Sequence, residues 1–329
     1  MDSRIVIVDP FESDELLELA ELSGMPFTRV RAWHFEPSPA DRVITTIPLP
    51  RGAAADGLGV VVDVAVPAGI GERWPERVVT LRHGREDVLA YLSGSDAPGG
   101  RVVGVVGLAG GLGATTLAAC LARTLAGHPI AVALLDTDPV PSLESRLGFT
   151  EGGGVRWADL AGEDGPLLPQ RIDAALPVWH RVRIATCDGR GVDGAPFLAV
   201  AHALSRTHDV TVVDLPRAPG PDGAALLRRC DDVVVLLGGR RAELAAWERL
   251  RAVMGPATLH PVVRGGGELA AGDVARELGC AVIALGLERA VAAGAAHGAQ
   301  PGDRARGAVM KAARVLAGRM LADRVAEAS

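Results

Sequence analysis

The chain has 329 residues, a mass of 34.0 kDa and a formal charge of −6, and Lys311 is the one lysine among its 34 basic residues. With 48% hydrophobic and 22% charged residues, the composition excludes disorder as the main state. No apolar run approaches the roughly 18 residues of a membrane span, and the first residues lack the apolar stretch of a signal peptide, so we expect a cytoplasmic protein. The mildly acidic balance argues against nucleic acid as a partner.

The first 92 residues predict a small α/β domain. Apolar runs predict strands at 4–8, 43–47, 60–66 and 78–81, and helical periodicity predicts helices at 14–22 and 85–92. Residues 93–100 combine glycines, a proline and small polar residues, which hold neither a helix nor a strand. We therefore predict a linker at 93–100 between this domain and the rest of the chain.

Residues 101–329 predict a second, larger domain in which apolar strands alternate with amphipathic helices. The predicted strands lie at 101–106, 130–135, 181–186, 209–213, 232–237, 258–263 and 280–285, and the first helix lies at 114–126. Continuous apolar strands separated by helices indicate a mostly parallel sheet covered on both faces, so the fold class is doubly wound α/β. Residues 148–176 interrupt the alternation and predict a loop-rich insertion with one short helix.

A glycine loop follows the strand at 101–106. Gly110, Gly111 and Gly113 allow backbone N–H groups to turn inward, and the helix that follows adds its partial positive charge, which together form a phosphate cradle. In a P-loop the last glycine is followed by a lysine and then by a hydroxyl that binds Mg²⁺. Here Thr115 supplies the hydroxyl, whereas Ala114 occupies the place of the lysine.

The segment 109–116 resembles the deviant Walker A motif of the MinD/ParA superfamily, aligned without gaps. The resemblance implies a nucleotide site formed by Gly110, Gly111, Leu112, Gly113, Ala114, Thr115 and Thr116. In that superfamily both ends of the motif carry a lysine, one reaching the nucleotide of a dimer partner and one holding the phosphates of its own subunit. Both are alanine here, Ala109 and Ala114, so hydrolysis is expected to be weak or absent, and formation of a homodimer stays open.

Two aspartate motifs follow in the order that the resemblance implies. Asp136 and Asp138 come directly after one predicted strand, and Asp214 comes after another. The resemblance makes Asp138 the switch carboxylate that orients an attacking water and places Asp136 near the Mg²⁺ shell. Asp214 matches a Walker B aspartate, which would hold Mg²⁺ through water, with Thr115 as the other metal contact. ATP and Mg²⁺ are thus the implied cofactors.

Each motif also has an alternative interpretation. A strand-end aspartate can cap the next helix, and a glycine loop can be a structural turn. A dinucleotide site of the Rossmann type is a further alternative, since Asp136 follows the glycines at a suitable distance, but Thr116 stands where its third glycine belongs.

The chain as a whole resembles the CpaE-like, septum-site-determining branch of the MinD/ParA superfamily in actinobacteria, related to TadZ-like pilus proteins. The degenerate loop carries this resemblance together with 155–160, 210–217 and 262–265 and a receiver-like N-terminal domain. It implies a positioning or regulatory protein for septum formation or for a secretion or pilus ATPase, with components of that machinery as protein partners.

The chain departs from these families at several positions. Asp63, with Pro67 and Gly71, imitates the spacing of a phospho-acceptor loop, yet the carboxylate cluster of working receivers is reduced to Asp9, so we expect a degenerate docking domain. Arg264 stands where the superfamily often has an asparagine that reads adenine, which leaves the base specificity open.

The last helix is amphipathic, with apolar residues at 309, 313, 316 and 320 and basic residues on other faces. It either packs on the sheet or makes a peripheral contact with the inner face of the membrane. Three functional hypotheses follow for the whole chain. It is a nucleotide-binding positioning protein with weak or no hydrolysis, an active Mg-ATPase in which an arginine such as Arg217 replaces the lysine, or a protein-interaction scaffold that works without nucleotide.

Overall fold

The computed structural model describes residues 5–9, 14–22, 27–31, 42–45, 60–62, 77–79, 99–138, 143–147, 153–161, 169–188, 190–217, 220–254, 257–288 and 299–327. The described residues divide into two compact units, one up to residue 79 and one that begins at Gly99. Each unit has its own sheet, and each is described by itself.

The N-terminal unit is built on a parallel sheet with the strand order β2-β1-β3-β4-β5, the order of flavodoxin-like folds. Its strands are Ile5–Val8 (β1), Phe27–Val30 (β2), Arg42–Thr45 (β3), Val60–Val62 (β4) and Arg77–Val79 (β5), and its helix is Asp14–Leu22 (α1). The sequence-based prediction missed β2. Asp63 and the predicted helix at 85–92 lie outside the described residues.

The second unit contains a sheet with the strand order β13-β12-β11-β6-β10-β7-β9-β8, in which only the edge strand β8 runs antiparallel to its neighbour. This architecture confirms the predicted doubly wound, mostly parallel fold. Its strands are Arg101–Gly107 (β6), Val132–Asp136 (β7), Val178–Trp179 (β8), Val182–Ala185 (β9), Val210–Asp214 (β10), Asp232–Leu237 (β11), Thr258–Arg264 (β12) and Ile283–Leu285 (β13).

Helices connect these strands. They are Ala114–Leu125 (α2), Leu143–Leu147 (α3), Trp157–Leu160 (α4), Pro169–Ala175 (α5), Phe197–Thr207 (α6), Pro221–Arg228 (α7), Arg241–Val253 (α8), Ala271–Leu278 (α9) and Ala308–Glu327 (α10). The prediction of one short helix in 148–176 was wrong, because both α4 and α5 lie in this segment. Each helix is short and has few buried side chains, namely Trp157 and Leu160 in α4 and Ile172 in α5.

The core of the second unit forms around α2, which packs against the C-terminal helix α10. Ala313, Leu316 and Met320 are all buried, so the apolar face that could have met a membrane is used inside the protein. Lys311, Arg314 and Arg319 remain exposed on α10. Packing on the fold is therefore the alternative that the described residues of this helix favour. Within the described ranges, no helix is long and apolar enough to cross a membrane.

Candidate functional site

The candidate site lies at the carboxyl edge of the larger sheet, where β11, β6, β10 and β7 stand side by side. The glycine loop follows β6 in the centre of this edge. Asp214 ends β10 and pairs in register with Asp136, which ends β7, so the two predicted aspartates lie on adjacent strands. Ligands of open α/β folds bind outside this edge. The fold therefore brings all three predicted motifs together.

The loop has the backbone conformation that its glycines allow. Gly111 and Gly113 have φ angles of 74° and 91°, a region that disfavours other residues. Gly113 is the N-cap residue of α2, and among the described residues no side chain caps this helix. The first N–H groups of a helix have no partner within the helix itself. They are thus available to an anion at the loop, and the predicted binding of phosphate by these groups stays a prediction.

Thr115 and Asp214 are neighbours in the site, and the Thr115 hydroxyl acts to lower the pKa of the Asp214 carboxyl group. Asp214 is 1% exposed, and its Oδ2 atom has no hydrogen-bond partner among the described residues. Burial, followed by the negative charge of Asp136, raises the pKa of Asp214 to about 8. A buried carboxylate oxygen that lacks a partner is costly, and a divalent cation would offset that cost.

Asp136 is better satisfied than Asp214. Its Oδ2 accepts hydrogen bonds from the backbone N–H of Leu143 at 2.7 Å and from the Thr186 hydroxyl at 2.9 Å, and its Oδ1 accepts one from the N–H of Asp138 at 3.2 Å. Burial raises its pKa to about 6, although these hydrogen bonds act in the opposite direction. Asp136 therefore organises the segment that carries Asp138, and its contact with Mg²⁺ stays a prediction.

Two arginines, one after β10 and one at the end of β12, reach the loop. An Nη1 atom of Arg217, which follows β10, lies 3.1 Å from the position that a Cβ on Gly110 would take. Arg264, the last residue of β12, donates a hydrogen bond from its Nη1 to the carbonyl of Gly111 at 2.6 Å. The same atom lies 3.7 Å from the Cβ position of Gly113. The loop that lacks lysine thus has a guanidinium group on either side.

The remaining predicted loop residues hold the loop to the sheet. Leu112 and Ala114 are partly buried against the core, and Thr116 is half-buried at the start of α2. The N–H of Leu108 donates to the carbonyl of Leu236 at 3.0 Å, which ties the beginning of the loop to β11.

These residues fit a nucleotide with Mg²⁺. The free helix N-terminus and the two guanidinium groups match the charge of phosphates, and the Thr115–Asp214 pair offers oxygen atoms to the metal. Within the part of the chain that the structure describes, no three His, Cys, Asp or Glu side chains form a metal cluster of their own. Mg²⁺ does not require one, because it keeps several waters and takes one or two protein ligands besides phosphate.

Sequence reasoning missed the residues that support the site. Thr186 follows β9 and bonds to Asp136, and the indole N–H of Trp157 donates to the carbonyl of Asp136 at 2.7 Å. Glu243 of α8 accepts hydrogen bonds from the N–H groups of Gly238 and Arg240 beside Leu112. A polar residue directly after a parallel strand is a usable signal for Thr186. The roles of Trp157 and Glu243 depend on tertiary contacts.

Comparisons by sequence find related chains of unassigned role. Uncharacterised proteins of two Mycobacterium tuberculosis strains are 31% identical over 187 residues, which is 56% of this chain. The chain spans about half the length of these curated relatives, with 50% of each covered. No family model matches the chain.

Comparisons by structure identify the fold of the larger unit. A ParA family ATPase from Chlorobium tepidum matches with a TM-score of 0.56 and 16% identity, over 66% of this chain and 98% of that protein. MinD from Pyrococcus horikoshii, solved with Mg-ADP, matches with a TM-score of 0.55 and 17% identity, over 66% and 94% of the two chains. The MinC–MinD complex of Aquifex aeolicus matches with a TM-score of 0.54 and 18% identity, over 66% of this chain and 96% of that chain. The fold is that of MinD/ParA P-loop proteins.

Proposed function

We propose that this chain is a MinD-like positioning or regulatory protein of the CpaE-like type, which binds Mg-ATP with reduced affinity and hydrolyses it slowly or not at all. The observation that carries the proposal is the Thr115–Asp214 contact beside a lysine-free loop. The chain thus retains the two residues that a P-loop uses to bind the metal, whereas Ala109 and Ala114 stand in place of its two lysines.

The proposal assigns roles to the residues of the site. The backbone of 110–116 and the start of α2 would hold the phosphates, and Thr115 and Asp214 would hold Mg²⁺ through oxygen atoms and water. Bound Mg²⁺ would neutralise phosphate charge. Asp138 would orient a water in any residual hydrolysis, while Asp136 keeps the Asp138 segment in place.

The missing lysine sets the expected strength of binding. A hydrogen bond to a charged group contributes about 1.5–3 kcal/mol, so its loss lowers the affinity by roughly one to two decades. We therefore expect weak nucleotide binding, in a protein that responds to nucleotide without hydrolysing it quickly.

Protein partners complete the proposal. MinD of Aquifex aeolicus has been solved in complex with MinC, which supports a partner-binding role for this fold in general. For this chain we propose components of septum formation or of a secretion or pilus ATPase as partners, with the N-terminal unit as a docking domain. We propose a cytoplasmic location, and dimerisation would have to proceed without the lysine that Ala109 replaces.

A second candidate function is an active Mg-ATPase that uses an arginine in place of the lysine. Arg217 favours it, because its guanidinium group lies beside Gly110 and has no hydrogen-bond or ion-pair partner among the described residues. An arginine at the phosphates can stabilise transition-state charge.

Calorimetry and thermal unfolding with Mg-ATP test the main proposal. We expect measurable heat and a concentration-dependent rise in Tm, both weakened when EDTA removes Mg²⁺. No heat and no shift in Tm at millimolar Mg-ATP would overturn nucleotide binding. The nucleotide-independent scaffold would then be the better account of the fold.

A further inference from the structure

The side chain of Arg264 contacts the glycine loop, although Arg264 belongs to β12, which lies two strands away from β6 in the sheet. β11 separates β12 from β6, and the side chain of Arg264 crosses the end of β11 to reach Gly111. A contact over 153 residues of sequence fixes the guanidinium group beside Gly113, the residue directly before Ala114.

The anchoring contact uses one nitrogen of the guanidinium group. Nη1 donates to the carbonyl of Gly111, and the structure shows no other hydrogen bond or ion pair of Arg264 among the described residues. A guanidinium group carries further N–H donors on Nη2 and Nε. Arg264 is half-buried as a residue, whereas its bond to Gly111 is exposed, so the guanidinium group is accessible to a ligand. Donors and charge are thus held at the loop before any ligand arrives.

Arg264 suits a phosphate group better than Arg217 does. Arginine binds phosphate through two parallel N–H···O contacts, which requires a fixed orientation of the guanidinium plane. The bond to Gly111 supplies this orientation and lowers the entropy that binding must remove. Arg217 lacks such an anchor among the described residues.

We propose that Arg264 is the phosphate-binding cation of this site and takes over, from the end of β12, the contact that a lysine at position 114 would make. The inference rests on the proposed nucleotide-binding function. It assigns the ligand chemistry of Arg264 to the phosphate chain of the nucleotide.

The experiment measures the Kd of Mg-ATP by calorimetry on the full chain, with Arg264→Gln, Arg264→Lys and the matched control Arg251→Gln. Arg251 is an exposed arginine of α8 whose ion pair with Glu248 is local. Glutamine keeps an amide donor but is shorter than arginine and carries no charge. We expect R264Q to weaken binding by about tenfold to hundredfold, R264K to weaken it less, and R251Q to leave it unchanged.

A double-mutant cycle with Ala114→Lys separates phosphate binding from a structural role of Arg264. If a lysine restored at 114 contacts the same phosphate, R264Q should cost less than about threefold in the A114K background. Thermal unfolding without nucleotide should give the same Tm for R264Q and wild type. The Arg264→Lys result supports the inference independently if A114K does not fold.

Each alternative outcome has a distinct meaning. If wild type does not bind Mg-ATP, the proposed function fails and this inference fails with it. If wild type binds and R264Q binds equally well, the function stands and the role of Arg264 is wrong. If R264Q loses the same affinity in both backgrounds and lowers the Tm without nucleotide, Arg264 merely supports the loop, and the inference is likewise overturned.

Discussion

Thr115, in the first turn of α2, lies beside Asp214 at the end of β10, and its hydroxyl acts to lower the pKa of the Asp214 carboxyl group. The Oδ2 atom of this carboxyl group has no hydrogen-bond partner among the described residues. In the absence of a cation, this buried carboxylate destabilises the fold at neutral pH, because its pKa is raised to about 8 by burial and by Asp136. If the site binds Mg²⁺ as proposed, the bound cation would offset this loss of stability.

Replacing Asp214 with asparagine should have opposite effects on stability and on ligand response. Asparagine keeps the shape and removes the charge, so in EDTA at pH 8 we expect the free energy of unfolding to rise by about 1–3 kcal/mol. The rise in Tm with Mg-ATP should disappear in the same variant. Urea denaturation and thermal unfolding measure the two effects.

Asp232 provides the matched control for this substitution. It is fully buried like Asp214, but it forms an ion pair with Arg101 at 2.8 Å and a hydrogen bond with His260 at 2.7 Å at the opposite edge of the sheet. Breaking such a pair leaves a buried charge behind, so D232N should destabilise the protein by about 3–5 kcal/mol. A stabilising D232N, or a destabilising D214N, would contradict this account.

Gly113→Ala should destabilise the protein through its backbone alone. Gly113 has a φ of 91°, a conformation that costs a residue with a Cβ about 1–3 kcal/mol. Gly318→Ala is the control, because Gly318 lies inside α10 with open space around its Cβ position, where alanine should stabilise by about 0.5–1 kcal/mol. Urea midpoints of the two variants should thus move in opposite directions, and equal shifts would argue against strain at the loop.

The sequence predicted the centre of the larger sheet and its motifs because β6, β7 and β10 are continuous apolar runs that end at glycines or aspartates. The strand β2 escaped prediction, since this edge strand is mostly half-buried and its four residues, Phe27 to Val30, include two adjacent polar ones that break the alternation expected of a strand. The antiparallel β8 is only two residues long, too short for any periodicity.

Only the parts of the candidate site that follow directly from the sequence order of strands and loops could be predicted. Gly110 to Thr116, Asp136 and Asp214 follow strands directly, so their position at one sheet edge could be inferred from the chain order. The contact between Arg264 and Gly111 depends on the strand order of the folded sheet, in which β12 lies two strands from β6. No local pattern in the sequence encodes that order.

His208 should make the stability of the larger unit pH-dependent. Burial lowers its pKa, whereas the nearby carboxylates of Asp173 and Asp209 act in the opposite direction and Arg183 adds to the lowering. A histidine with a lowered pKa in the folded state binds more protons when unfolded, so stability is lost as the pH falls from about 7 to 5. We expect His208→Gln to reduce the difference in unfolding free energy between these two pH values. An unchanged difference would show that His208 does not contribute to the acid sensitivity.

Arg217 lies beside Gly110, and measurements of phosphate release by variants at Arg217 and Asp138 distinguish the two candidate functions. If the chain is an ATPase, phosphate release in Mg-ATP should fall to background in Asp138→Ala and by about a thousandfold or more in Arg217→Ala, as expected when an arginine stabilises transition-state charge. If the main proposal is right, wild type should release phosphate at or only slightly above the background rate, and any residual release should disappear in D138A but not in R217A. Gly110→Ala is a milder positional test, because its new Cβ would lie 3.1 Å from Nη1 of Arg217 and shift the guanidinium group slightly without removing its charge. An ATPase that depends on Arg217 should therefore lose much less activity in G110A than in R217A, whereas turnover that survives R217A would exclude Arg217 as the substitute for the lysine.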